Sequence, residues 1–88
     1  MTVRVVLPLV LIRLFPSAPR EVEVAANTVR EAIDALNARW PGVRDRLCDS
    51  RPAIRRHVNI FVGGDKATLE TPLVPGGEMI IMTAISGG

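Results

Sequence analysis

The residues best suited to chemistry stand at the end of the chain, where Ser86-Gly87-Gly88 follows the apolar run Glu78-Met79-Ile80-Ile81-Met82-Thr83-Ala84-Ile85. The run is β-prone and long enough for one strand. After it come two glycines and a carboxylate, with no turn signal and no further element. Glycine weakens regular structure and gains nothing from packing. Two readings fit. Chain ends fray and tolerate almost any residue. Alternatively, the end threads a narrow channel in a partner, where a Cβ would clash, and offers its carboxylate for reaction. On the second reading Gly88 carries the reacting group, while Gly87 and Ser86 give passage.

Other reactive side chains fall short of a site. Cys48 has no histidine or carboxylate spaced to activate it, and buried small cysteines are common. One thiol and one histidine, His57, make no metal centre. The acidic residues are scattered singly among basic neighbours, so no acid–base pair is suggested. No glycine-rich phosphate cradle precedes a helix. Arg44, Arg46, Arg51, Arg55 and Arg56 form a basic cluster of the kind that phosphate binding wants. The chain has only three aromatic residues, however, and no platform for stacking bases. A solvated basic loop that steers an acidic partner accounts for the cluster better. The expectation is a chain with no intrinsic enzymatic activity, no bound cofactor or metal, and no nucleic-acid partner.

Composition agrees with a small folded unit. Eighty-eight residues of which 48% are apolar make one domain, able to fold without metal or disulfides. The single cysteine excludes an internal disulfide, and 11 basic against 9 acidic residues leave a net charge of +2, too small for a strong polyanion signal. The apolar run from Val5 to Leu14 contains Pro8 and Arg13, lacks a cleavage pattern and is too short to span a bilayer. A soluble cytoplasmic protein without a membrane partner is expected.

The elements that must position the terminus follow from periodicity. Thr2 to Leu7 alternates as a strand, with Val3, Val5 and Leu7 on the core side and Arg4 and Val6 opposite. Leu9 to Arg20 reads as a loop, because Pro16 and Pro19 break any helix. Arg20 to Val24 is a second strand, joined to the first as a hairpin. Thr28-Val29-Arg30-Glu31 has the form of a capping box, in which Thr28 accepts from the Glu31 amide and Glu31 reaches back to the Thr28 amide. Val29, Ala32, Ile33, Leu36 and Trp40 then form one helix face, which Pro41-Gly42 ends. Trp40 is expected to lid the core. Val43 to Cys48 allows one more helical turn, and Asp49 to Arg56 is a loop. His57 to Val62 is a third strand with Val58, Ile60 and Val62 on one face, and Gly63-Gly64-Asp65 is a turn. A short return, a Pro75-Gly76-Gly77 turn and the closing strand complete the order.

The order β-β-α-β-(short β)-β predicts an α+β domain, a mixed sheet of four or five strands covering one main helix. Its second face is left to solvent or a partner. Alternation puts Met79 and Ile81 inside and Ile80 and Met82 outside, with Phe61 and Val6 on the same outer face. Scattered surface apolar residues are ordinary. A cluster of Phe, Met, Ile and Val beside a free tail reads better as a docking surface.

These elements, the Thr71-Pro72-Leu73 segment, the Gly76-Gly77-Glu78 turn and the terminal Ser86-Gly87-Gly88 resemble the MoaD/ThiS sulfur carriers, ubiquitin-like proteins of the β-grasp fold. The segment from Ile54 to Val62 is similar to the CysO-type branch, and Leu11-Ile12-Arg13 sits where many members carry a hydrophobic residue followed by arginine, which adds Arg13 to the docking surface. The resemblance implies a β-grasp domain over residues 1–85 and a flexible tail over 86–88. It implies an adenylating partner that uses ATP to activate Gly88, a thiocarboxylate formed there, and a synthase that takes the sulfur for molybdopterin, thiamine thiazole or cysteine. A ubiquitin-like modifier joined through Gly88 to target lysines would use the same activation.

Overall fold

A computed structural model describes residues 2–83. The strand order in sequence is β1 (Val3–Val6), β2 (Glu21–Val24), β3 (Val58–Val62), β4 (Asp65–Lys66) and β5 (Glu78–Thr83). Three helices intervene: α1 (Leu9–Leu14), α2 (Val29–Arg39) and α3 (Val43–Leu47). The strands form one mixed sheet in the order β2-β1-β5-β3-β4. The central pair β1 and β5 is parallel, and the others are antiparallel. This is the β-grasp arrangement, with α2 as its main helix. The expected tail, 86–88, and the expected end of the last strand, 84–85, lie outside the described residues.

One core joins the sheet to the helices. Val3, Val5, Val22, Val24, Val58, Ile60, Met79 and Ile81 enter it from the strands, as period-2 alternation requires. Val29, Ala32, Ile33 and Leu36 of α2 meet them, with Val43 and Leu47 of α3. Trp40 is half-buried against this core; its Nε1 donates to Ser17 Oγ at 3.0 Å, and the Arg39 guanidinium sits 5.2 Å from its ring centre. The lid expected of Trp40 therefore has a polar latch.

The first turn of α2 shows how the long return from β4 to β5 is held. The Glu31 amide donates to Thr28 Oγ1 at 3.2 Å, as the capping box predicts. The Glu31 carboxylate reaches one residue further back than expected and accepts from the Asn27 amide at 2.9 Å. The two remaining free donors of the turn, the amides of Val29 and Arg30, go to the carbonyls of Thr71 and Leu69 at 3.0 and 2.9 Å. Leu73 closes the arrangement by donating to the Asn27 carbonyl at 2.8 Å. The Thr71-Pro72-Leu73 segment is thus a backbone cap for the helix.

Turns fix the remaining register. Gly63 and Gly64 both have positive φ, at 61° and 88°, the pair of left-handed conformations that lets two residues join β3 to β4. A Cβ on Gly77 would meet the Val74 carbonyl oxygen at 2.9 Å, so the tight entry into β5 needs glycine there. The loop after α3 is organised by Asp49, whose Oδ1 accepts from the amides of Arg51 and Ala53 at 3.0 Å each while Oδ2 accepts from Arg51 Nε at 2.9 Å. The Arg51 side chain and these amides hold its carboxyl down to about 2.

One expectation is corrected. Leu9 to Arg20 is not all loop, because Leu9–Leu14 forms a helix. Pro8 occupies its N-cap with extended backbone, where no amide is required. Pro16 falls just past its C-cap, Phe15, whose amide still donates to the Leu11 carbonyl. The prolines bracket the helix rather than break it. Leu11 enters the core while its neighbours stay outside.

Replacing the cap in Thr28→Ala should lower stability by about 1 kcal/mol in urea unfolding, with the m-value unchanged. A change within error would mean that the carbonyls of Thr71 and Leu69 suffice to start α2.

Candidate functional site

The outer face of the sheet carries a continuous row at one level. Val6 pairs with Glu21 on β2 and with Ile80 on β5. Ile80 in turn pairs with Phe61 on β3, and Phe61 with Lys66 on β4. The centre of the row, Val6-Ile80-Phe61, is apolar and half-buried, and its two ends are charged. One level toward the end of β5, Met82 pairs with Asn59 and is 52% exposed. One level the other way, Arg4 bridges Glu21 and Glu78 at 3.7 and 3.1 Å, which closes the apolar strip with an ion-pair cluster.

Helix α1 turns this strip into a groove. Val6, Ile80 and Met82 line it from the sheet, and Leu9, Val10 and Arg13 from α1, around a volume of about 440 Å³. Four of the five expected docking residues, Val6, Ile80, Met82 and Arg13, are therefore brought together. Phe61 lies beside Ile80 on the next strand, outside the groove lining. Leu9 and Val10, 57% and 42% exposed, are additions that the sequence reading missed. The signal for them was the Pro8-Leu9 junction, a proline at a helix start followed by four apolar residues. Exposed leucine, valine and methionine at a groove mouth fit a protein partner, since water gains nothing by covering them.

The groove reaches Thr83, the last described residue of β5. Ser86, Gly87 and Gly88, the expected passage and reaction residues, lie outside the described residues. The chain from Ala84 to Gly88 spans at most about 17 Å when extended.

Cys48 lies away from the groove, buried with Leu47 beneath the Asp49 loop. Burial pushes its thiol up, outweighing the opposing pull of Arg44 and Arg30. A thiol kept protonated is neither nucleophile nor metal ligand. Among the described residues no group of three or more His, Cys, Asp or Glu side chains is placed to hold a metal ion. Among them also, no helix is long and apolar enough to cross a membrane.

Comparisons with known proteins bear on the chain as a whole. No family model matches the chain. The sulfur carrier protein CysO of Mycobacterium tuberculosis is 31% identical over 94 aligned positions, covering 100% of each chain. Among solved structures, the BexX/CysO complex of Amycolatopsis orientalis contains a chain that superposes with a TM-score of 0.86 at 28% identity, over 98% of this chain and 99% of that one. SAMP1 from Haloferax volcanii superposes with a TM-score of 0.84 at 26% identity over 100% of both.

Iodoacetamide should alkylate Cys48 in the native protein more than about tenfold more slowly than in the urea-unfolded chain, as burial and the raised thiol require. Equal rates in the two states would place a reactive thiolate at the surface.

Proposed function

The chain belongs to the family of CysO-type sulfur carrier proteins, and on that premise we propose that Gly88 is its working group, adenylated by a partner enzyme and converted to a thiocarboxylate. The observation that carries this reading is the apolar row Val6-Ile80-Phe61, which joins a groove that reaches Thr83, five residues before Gly88. The partner grips a face of the sheet whose geometry is fixed by the core, and the end of the chain supplies reach.

The chemistry follows from the inertness of a carboxylate. Its carbon resists nucleophiles because oxide is a very poor leaving group. A Gly88 carboxylate oxygen attacks the α-phosphorus of ATP in the partner's site, the bond to the bridging oxygen breaks, and pyrophosphate leaves. The acyl-adenylate that results has AMP as its leaving group. A sulfur nucleophile adds to the carbonyl carbon, AMP departs, and the sulfur remains on Gly88. A thiocarboxylate is ionised and nucleophilic near neutral pH, so it can attack a precursor bound by a second enzyme. Gly87 and Gly88 have no Cβ to collide with ATP or channel walls. In this scheme the chain is a substrate, ATP belongs to the partner, and the reactions run in the cytoplasm. The likeness to CysO favours cysteine as the destination of the sulfur over molybdopterin or thiamine thiazole.

A second reading is conjugation. The likeness to SAMP1, which is called a small archaeal modifier protein, supports an amide between Gly88 and a target lysine after the same activation. Intact mass separates the two. Incubation with ATP, an adenylating enzyme and sulfide gives a carrier with sulfur in place of one oxygen, whereas a modifier gives covalent adducts of two proteins in cell extracts.

Deleting Gly88, or adding one residue after it, should abolish ATP–pyrophosphate exchange while the melting temperature stays nearly constant. Exchange at the wild-type rate would sink the mechanism. Met82→Asp should weaken binding of the adenylating enzyme more than about tenfold and cost about 1 kcal/mol of stability or less, because the side chain is already half in water. If the substitution unfolds the protein instead, or leaves affinity unchanged, the groove is not the docking surface.

A further inference from the structure

The groove does not end the depression around α1. It shares Val10 and Thr83 with a hollow of about 270 Å³ that adds Leu14, Arg46 and His57. That hollow shares Leu14, Arg46 and His57 with a third, of about 710 Å³, to which Asp45 and Arg55 contribute. One trough therefore runs around α1, from the apolar strip on the sheet, past the end of β5, to a shelf of opposite character. On that shelf Arg46, Arg55 and His57 face a single carboxylate, Asp45.

Among the described residues the guanidinium charges of the shelf have no carboxylate partner within 4 Å. Arg4, Arg30, Arg44 and Arg51 each pair with a carboxylate. Neither Arg46 nor Arg55 does so among the described residues. Arg55 Nε donates to the Asp45 backbone oxygen at 2.9 Å, which orients the guanidinium and leaves its charge unneutralised. The molecule is thus polarised along its sheet. The start of β5 lies in the cluster of Arg4, Glu21 and Glu78, and its end lies beside Arg46 and His57.

We propose that the Arg46–Arg55 shelf is a second contact for the protein that receives the tail, and that it takes acidic side chains on the rim of that protein's channel. This rests on the carrier reading above. Continuity argues for one occupant, since the apolar groove and the shelf are joined through a hollow that shares Val10 and Thr83 with the one and Leu14, Arg46 and His57 with the other. Charge complementarity fixes its chemistry as carboxylate. A nucleic acid fits less well. The net charge is only +2, and the one aromatic residue lining the shelf, Phe15, packs against the core instead of offering a free ring. Exposed charges of this kind act mainly on encounter, with an effect that salt screens, whereas the apolar groove governs how long the complex lasts.

The test is association kinetics of the full chain with the adenylating enzyme identified by pyrophosphate exchange, measured over a range of salt concentrations. Arg46→Glu combined with Arg55→Glu should lower the association rate about tenfold or more at low salt and flatten its salt dependence, with dissociation changed less than about twofold. Because Arg55 also tethers α3, Arg46→Glu alone serves as the second variant, expected to show the same pattern at about threefold. Unchanged association rates and salt slopes in a folded Arg46→Glu variant overturn the proposal. Retention of the wild-type chain, and not of the variant, on duplex DNA or structured RNA at physiological ionic strength would also overturn it, by assigning the shelf to a polyanion. Failure to find any adenylating enzyme that exchanges pyrophosphate with the wild-type chain would instead sink the carrier reading, and with it the occupant named here.

Discussion

The parallel pairing of β1 with β5 is the constraint on which the structure depends. It inserts the last strand between β1 and β3, so that Met79 and Ile81 are 0% and 1% exposed and both of its edges are hydrogen-bonded. A strand that precedes a chain end would ordinarily be the easiest to peel away. Here it is the hardest, because releasing it opens two ladders and the core at once. Thr83 is therefore held in place by the ladder and the core.

The same insertion builds the apolar row on the outer face. Ile80 is the middle of the Val6-Ile80-Phe61 row because β5 is the middle of the sheet, and its alternation is locked by the buried neighbours on either side. The groove is walled by formed elements, the sheet on one side and α1, which Leu11 pins to the core, on the other. Preorganisation of this kind keeps the entropy cost of association low.

Much of this was legible in the sequence, for identifiable reasons. Strand faces followed from alternation, which fixed Val3, Val5, Ile60, Met79 and Ile81 as core and Ile80 and Met82 as outer residues. The start of α2 followed from Thr28 and Glu31. What failed was the reading of Pro16 and Pro19 as breakers of any helix from Leu9 to Arg20, since proline is compatible with either side of a helix boundary and local sequence does not say which. That error hid Leu9 and Val10, and with them half of the groove. The backbone cap that Thr71 and Leu69 place on α2 was also hidden, because a carbonyl is present at every residue and leaves no signature in the side-chain pattern. The trough around α1 required the fold, since α3 and the start of β3 meet there only in space.

The edges of the sheet carry a consequence of their own. The outermost strands are β2, four residues long with Glu21 and Glu23 on its outer side, and β4, of two residues, Asp65 and Lys66. A short, charged margin is a poor template for another chain's backbone. Backbone pairing between molecules is therefore disfavoured at both margins, and the apolar β5 is kept from them at the centre of the sheet.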